Sequence, residues 1–138
     1  AELLVDLGCR ADNYCSDQTR TWRVGRAPAP AFDKTMELVR KAQDESIAMM
    51  RPGVKCADVY KKALEIFEKE GQGKAFNHAL GHGIGLLTHE APSLSPRSET
   101  TLEEGMVVTV EPGLYYADWG GVRWENTVVV TRDGAEIL

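Results

Sequence analysis

Residues 77–92 read NHALGHGIGLLTHEAP and hold all three histidines of the chain, His78, His82 and His89. Gly81, Gly83 and Gly85 are interleaved with them. Glycine lets the backbone come close to a bound group, and neutral imidazole is both a metal ligand and an acid–base group near neutral pH. A structural histidine needs neither two histidine neighbours nor a glycine cushion, so the stretch reads as part of a site. Its apolar Ile84, Leu86 and Leu87 suggest a buried strand or a turn leading into one.

Downstream, a polar loop over Ser93 to Thr101 leads into a strand from Met106 to Leu114, and a last strand runs from Val122 to Thr131 before a terminal turn at Arg132-Asp133-Gly134. A loop around Asp118 joins these strands, so opposed residues have numbers summing to about 236 and Glu111 faces Glu125. Pro112 has no N–H for a ladder, and a bulge is expected beside Glu111.

Upstream, Phe32, Met36, Val39, Gln43, Ile47 and Met50 recur at helical spacing, which predicts an amphipathic helix over 32–50 ended by Arg51-Pro52-Gly53. A second helix over 57–70 would bury Val59, Ala63, Leu64 and Phe67 and stop at Gly71. Before them, Pro28 and Pro30 end a strand pattern. Leu3 to Cys9 and Tyr14 to Trp22 read as a hairpin turning at Ala11-Asp12-Asn13. With the turn centred between Ala11 and Asp12, Asp6 faces Asp17. Like charges directly across a ladder repel, and a bound cation relieves the repulsion.

The two hairpins and the histidine stretch thus supply two aspartates, two glutamates and an imidazole. Hard oxygen donors with one nitrogen suit divalent cations, and four neighbouring carboxylates need about two of them to stay ionised. Paired divalent ions are a hydrolytic arrangement.

Composition narrows the class. The chain has 138 residues, 43% of them hydrophobic, which is one domain's worth of ordinary globular sequence. A net charge of −5 offers no basic face for nucleic acid. No apolar run approaches a bilayer span and no signal segment opens the chain, so a cytoplasmic location is expected. Cys9, Cys15 and Cys56 are odd in number and form no C-x-x-C pair, which reads as reduced thiols.

Asp6-Leu7-Gly8 with Asp17-Gln18-Thr19-Arg20-Thr21, Gly81-His82-Gly83-Ile84-Gly85 with His89-Glu90-Ala91-Pro92, Glu111-Pro112-Gly113-Leu114-Tyr115 and Gly120-Gly121-Val122-Arg123-Trp124-Glu125-Asn126 resemble the motifs of the pita-bread metallopeptidases. Within that family the chain is most similar to the Xaa-Pro aminopeptidase and Xaa-Pro dipeptidase (prolidase) branch. The motifs lie in the family's order from residue 3 to the end.

The resemblance implies an α+β pita-bread fold, a mostly antiparallel curved sheet with helices on one face. It implies Asp6, Asp17, His82, Glu111 and Glu125 as ligands of two divalent metal ions, with Asp17 and Glu125 bridging. Manganese is the expected metal; cobalt, zinc and iron also suit the set. Hydrolysis of Xaa-Pro bonds would proceed through a metal-bridging hydroxide. Glu111 would take the proton of the attacking water, and His89 would hydrogen-bond the scissile carbonyl. His78 matches a position lining the proline pocket, and Tyr115 and Arg123 match positions that orient ligands and substrate.

Gln18 departs from the apolar residue usual in the branch. The chain also starts at Ala1 and enters a strand at once, whereas the family carries helices and a strand before the first metal aspartate, with a further N-terminal domain. Residues 1–138 are therefore expected to be the C-terminal part of a catalytic domain whose activity belongs to a longer parent protein. An unpaired sheet edge would favour a homodimer. A methionine aminopeptidase lacks the Gly120-Gly121-Val122-Arg123 run. A non-catalytic binding module, or a metal-independent creatinase-like hydrolase, would be expected to have lost ligands that are all present here.

Overall fold

The computed structural model describes residues 1–27 and 29–138. Pro28 lies outside the described residues, and Pro30 opens the first helix, α1 (Pro30–Met49), where its fixed φ and missing N–H cost nothing. The second helix, α2 (Cys56–Lys69), packs on α1. Val39, Val59, Ala63 and Phe67 are fully buried there, as the helical spacing predicts, and Ala42 is buried with them. Met36, Ile47 and Leu64 are only half-buried, and Ile66 joins the core in their place.

The first hairpin comprises β1 (Glu2–Leu7), β2 (Arg10–Ala11), β3 (Tyr14–Cys15) and β4 (Gln18–Arg23). Its register corrects the expected one by a residue in the turn. Arg10 pairs with Cys15, Ala11 with Tyr14 and Asp6 with Thr19, because the turn is centred between Asp12 and Asn13. Both turn residues have positive φ, 48° and 70°, the conformation of a two-residue I′ turn that Asp and Asn tolerate. Asp6 and Asp17 are therefore diagonal neighbours on one face, not directly opposed.

The central sheet has the order β11–β10–β7–β5–β6, formed by β5 (Gly81–Gly83), β6 (Glu90–Leu94), β7 (Val107–Val110), β10 (Asn126–Val130) and β11 (Ala135–Ile137). Between β7 and β10 lie β8 (Gly113–Tyr116) and β9 (Gly120–Arg123). Every pairing is antiparallel among the described residues.

Asn126 pairs with Val110 and Gly113 with Arg123, so the 236 sum holds on both sides of Glu111 and Glu125. The expected bulge beside Glu111 is absent. Instead each long strand divides there, and the ladder parts without losing register. The Glu111 N–H donates to the Leu80 carbonyl at 2.7 Å and the Glu125 N–H to the Thr19 carbonyl at 3.1 Å.

β5 is the narrow point of the sheet, squeezed between β6 and β7. A Cβ on Gly81 would run into the Thr109 carbonyl, and one on Gly83 into the Ala91 carbonyl, so the residues flanking His82 have to be glycine. Ile84 is buried, but Leu86 and Leu87 are exposed, because the chain bends away after Gly83. The core lies between the helices and the sheet, with Val39, Val59 and Phe67 meeting Leu80, Val108, Leu114 and Val128. Among the described residues no helix is long and apolar enough to cross a membrane.

Candidate metal centre

Three segments deliver the five expected ligands to one place. β1 and the break before β4 bring Asp6 and Asp17, β5 brings His82, and the parted ladder brings Glu111 and Glu125. Their donor atoms form three-residue groups within 4.8 Å: His82 with Glu111 and Glu125, Asp6 with Asp17 and Glu125, and Asp17 with His82 and His89. Glu125, Asp17 and His82 each belong to two groups. The site opens on a cleft of about 450 Å³ lined by Asp6, Asp17, His82, His89 and Glu111 among others.

His82 is oriented by its own backbone. Its Nδ1 lies 3.0 Å from the Gly83 carbonyl, which requires a proton on Nδ1 and leaves Nε2 aimed into the site. Nε2 is 3.0 Å from Glu111 Oε1 and 3.7 Å from Asp17 Oδ2. Burial would lower the pKa of this imidazole, but the contacts with Glu111, Gly83 and Asp17 hold it above the ordinary value.

The carboxylates are crowded and partly dehydrated. Glu125 is 1% exposed and its Oε1 is buried without a hydrogen-bond partner. Burial, reinforced by the charges of Glu111, Asp17 and Asp6, pushes its carboxyl up to about 7. Asp17 is raised by the same causes, burial first and Asp6 next. An orphaned carboxylate oxygen at the centre of four acidic groups fits a bound cation, and the donor set, oxygen-rich with one imidazole, fits divalent ions.

Arg123 is the one cation built into this cluster among the described residues. Its guanidinium donates to Asp6 Oδ2 at 2.6 Å, to the Tyr115 hydroxyl at 2.9 Å and, through Nε, to Thr19 Oγ1 at 3.2 Å. Nε also lies 3.8 Å from Glu111 Oε2. One guanidinium thus spans residues from both hairpins, and Tyr115, its pKa raised by burial, stays a neutral phenol.

His78 donates from Nδ1 to the Ala79 carbonyl at 2.7 Å and packs against Phe76 and Tyr115 at centroid distances of 5.2 and 5.5 Å. Burial lowers its pKa, and its Nε2 is left without a partner beside Gly113. His89 is exposed at the cleft mouth, its ring 4.0 Å from that of His82.

Two residues absent from the expected set hold the glutamates. Thr19 donates its hydroxyl to Glu125 Oε2 at 2.7 Å, and Thr109 donates to Glu111 Oε1 at 2.9 Å while accepting the His82 N–H at 3.1 Å. A signal for them was available. Thr19 stands two residues after Asp17, Thr109 two before Glu111 and Arg123 two before Glu125, and strand residues two apart share a face.

Outside the cluster, Arg20 stacks on Trp124 at 4.3 Å, with Arg40 at 5.1 Å from the same ring. Its guanidinium also donates to the Glu125 carbonyl and to Asn126 Oδ1. Cys9, Cys15 and Cys56 are free thiols.

Comparison with known proteins identifies the family and the fold. The model of metallopeptidase family M24 matches residues 2–132. The putative dipeptidase YkvY of Bacillus subtilis is 46% identical over 136 residues, covering 99% of this chain and 37% of its own length. The crystal structure of the prolidase from Pyrococcus horikoshii superposes with a TM-score of 0.95 at 40% identity, covering 99% of this chain and 39% of that one. An X-Pro aminopeptidase from Thermotoga maritima gives 0.95 at 37% identity, covering 99% and 38%. The fold is therefore the pita-bread α+β fold, and the chain spans less than two fifths of the length of these relatives.

Proposed function

The chain belongs to metallopeptidase family M24, and we propose that it is part of the catalytic domain of a peptidase that hydrolyses Xaa-Pro bonds with two divalent ions. The domain assignment covers residues 1–138. The observation that carries the reading is Glu125, a buried carboxylate with an orphaned oxygen shared by two groups of donors. Asp6, Asp17, His82, Glu111 and Glu125 are the proposed ligands, with Asp17 and Glu125 common to both ions and Mn²⁺ the proposed metal. When bound, the ions would acidify a water and polarise the scissile carbonyl.

The protein's own residues account for the rest. Glu111 is the proposed acceptor of the water proton, its Oε1 held by the Thr109 hydroxyl so that the carboxylate cannot swing out of the cleft. His89, exposed at the mouth, is the proposed donor to the oxygen that gains charge as the carbonyl is attacked. His78, its pKa lowered by burial, packs on the Tyr115 ring at 5.5 Å, and the two are the proposed wall for the substrate's apolar pyrrolidine. Arg123 holds Asp6 and Tyr115 in place and keeps a positive charge beside the carboxylates.

The relatives are named as a putative dipeptidase, a prolidase and an X-Pro aminopeptidase, and the last favours a substrate with proline in the second position over a Met-initiated peptide. A direct assay separates the two. The full-length protein loaded with Mn²⁺ is expected to cleave an Xaa-Pro dipeptide or tripeptide at least tenfold faster, by kcat/KM, than a Met-Ala peptide of equal length. The reverse preference would make the chain part of a methionine aminopeptidase, and cleavage of neither would favour a non-catalytic module.

A further inference from the structure

We propose that Gln43 sets the separation of the two glutamates of the metal centre, acting as a positioning residue from outside the cleft. The proposal rests on the reading that Glu111 and Glu125 share bound ions. Gln43 sits on the inward face of α1 and is 2% exposed, at a position where the apolar stripe would accept leucine or methionine. A buried amide is costly unless its polar atoms are bonded. Here both ends are bonded, and the partners lie at one special point of the fold.

Nε2 of Gln43 donates to the Val110 carbonyl at 2.7 Å and to the Trp124 carbonyl at 3.1 Å. These residues immediately precede Glu111 and Glu125. The β7–β10 ladder ends at the Val110–Asn126 pair, and the β8–β9 ladder starts only at Gly113–Arg123. In the opening between them the two glutamate N–H groups turn away to Leu80 and Thr19. One backbone bond still crosses it, from the Trp124 N–H to the Pro112 carbonyl at 3.3 Å, but neither glutamate N–H takes part. A single planar amide, donating once to each side, crosses that opening and fixes the distance between the two carbonyls.

The other end of the amide extends the tie. Gln43 Oε1 accepts from Asn126 Nδ2 at 3.1 Å, and Asn126 Oδ1 in turn accepts from Arg20, which also donates to the Glu125 carbonyl. The chain is thereby held at the Trp124 and Glu125 carbonyls and at the Asn126 side chain. Thr19 and Thr109 fix where the carboxylates point; Gln43 fixes how far apart their strands stand.

The test compares the full-length protein with Gln43→Met, which keeps length and removes the hydrogen bonds, and Gln43→Glu, which keeps an oxygen for Asn126 but has at most one proton for two carbonyls. Melting with a chelator reports folding, Mn²⁺ calorimetry reports affinity, and the electron paramagnetic resonance spectrum reports coupling between neighbouring Mn²⁺ ions. The expected result is a folded variant whose affinity for at least one ion falls about 10–100-fold, the range for residues that orient ligands, with the coupled spectrum giving way to that of isolated Mn²⁺. If Gln43→Met does not fold, Gln43→Glu carries the comparison. A folded variant with unchanged affinities and an unchanged coupled spectrum overturns the role of Gln43. Absence of coupled Mn²⁺ in the unsubstituted chain overturns instead the dinuclear reading on which it stands.

Discussion

Replacing Glu111 with Gln is expected to lower turnover of an Xaa-Pro peptide by about 10²–10⁴-fold, the contribution of a positioned general base, while much of the metal is retained. Glu111 Oε1 lies within 3.0 Å of His82 Nε2 and accepts the Thr109 hydroxyl at 2.9 Å, so an amide of the same shape keeps an oxygen in the same place. What it loses is the capacity to accept a proton. The loss should appear in kcat more than in KM, since substrate binding does not require that transfer. Measured together, kcat and metal stoichiometry decide the role: near-normal turnover at full loading removes Glu111 as the base, and complete loss of metal makes it mainly a ligand.

Glu125→Gln is expected to act in opposite directions on metal binding and on the stability of the metal-free chain. One carboxylate is withdrawn from two donor groups at once, so the Mn²⁺ bound should fall from about two ions to one or fewer. The affinity loss should exceed the roughly 10–100-fold typical of residues that merely orient ligands. Without metal, however, the buried carboxyl is a liability. It holds its proton up to about 7 in the folded chain, against 4.5 for the free side chain. Between those values the unfolded chain binds fewer protons than the folded one, so stability falls as pH rises.

Asp17, raised by burial and Asp6, and His82, raised by its carboxylate and carbonyl contacts against the effect of burial, act in the same direction. The metal-free chain should therefore melt at a lower temperature at pH 7.5 than at pH 5.5, and Glu125→Gln should flatten that dependence. With Mn²⁺ the order should reverse, because the ligands must be deprotonated to bind. Melting curves with chelator and with Mn²⁺ at both pH values test this. A metal-free chain that gains stability with pH would contradict the desolvated state assigned to Glu125.

Much of this site is legible in the chain, because strand pairing is arithmetic once a turn is located. The 236 sum places Glu111 opposite Glu125, and the structure keeps that register although the ladder parts between them. The first hairpin is harder to read, since Ala11-Asp12-Asn13 admits two turn centres. Only the positive φ of both Asp12 and Asn13 selects the one that moves Asp17 off Asp6 and onto its diagonal. Spacing alone does not distinguish a buried amide from a buried methionine, which hides the role of Gln43 inside an apolar stripe. Its partners are main-chain carbonyls 67 and 81 residues away. Leu86 and Leu87 mislead for the opposite reason: apolar character predicts a buried strand, and the bend after Gly83 leaves them at the surface.

The central claim is that four carboxylates and His82 form a dinuclear site, and a calorimetric Mn²⁺ titration of the full-length protein tests it most directly, with Glu125→Gln titrated alongside. About two ions per chain, reduced to one or none by the substitution, is the result the geometry predicts. No binding by the unsubstituted chain, or two ions bound equally well without the Glu125 carboxylate, would contradict it.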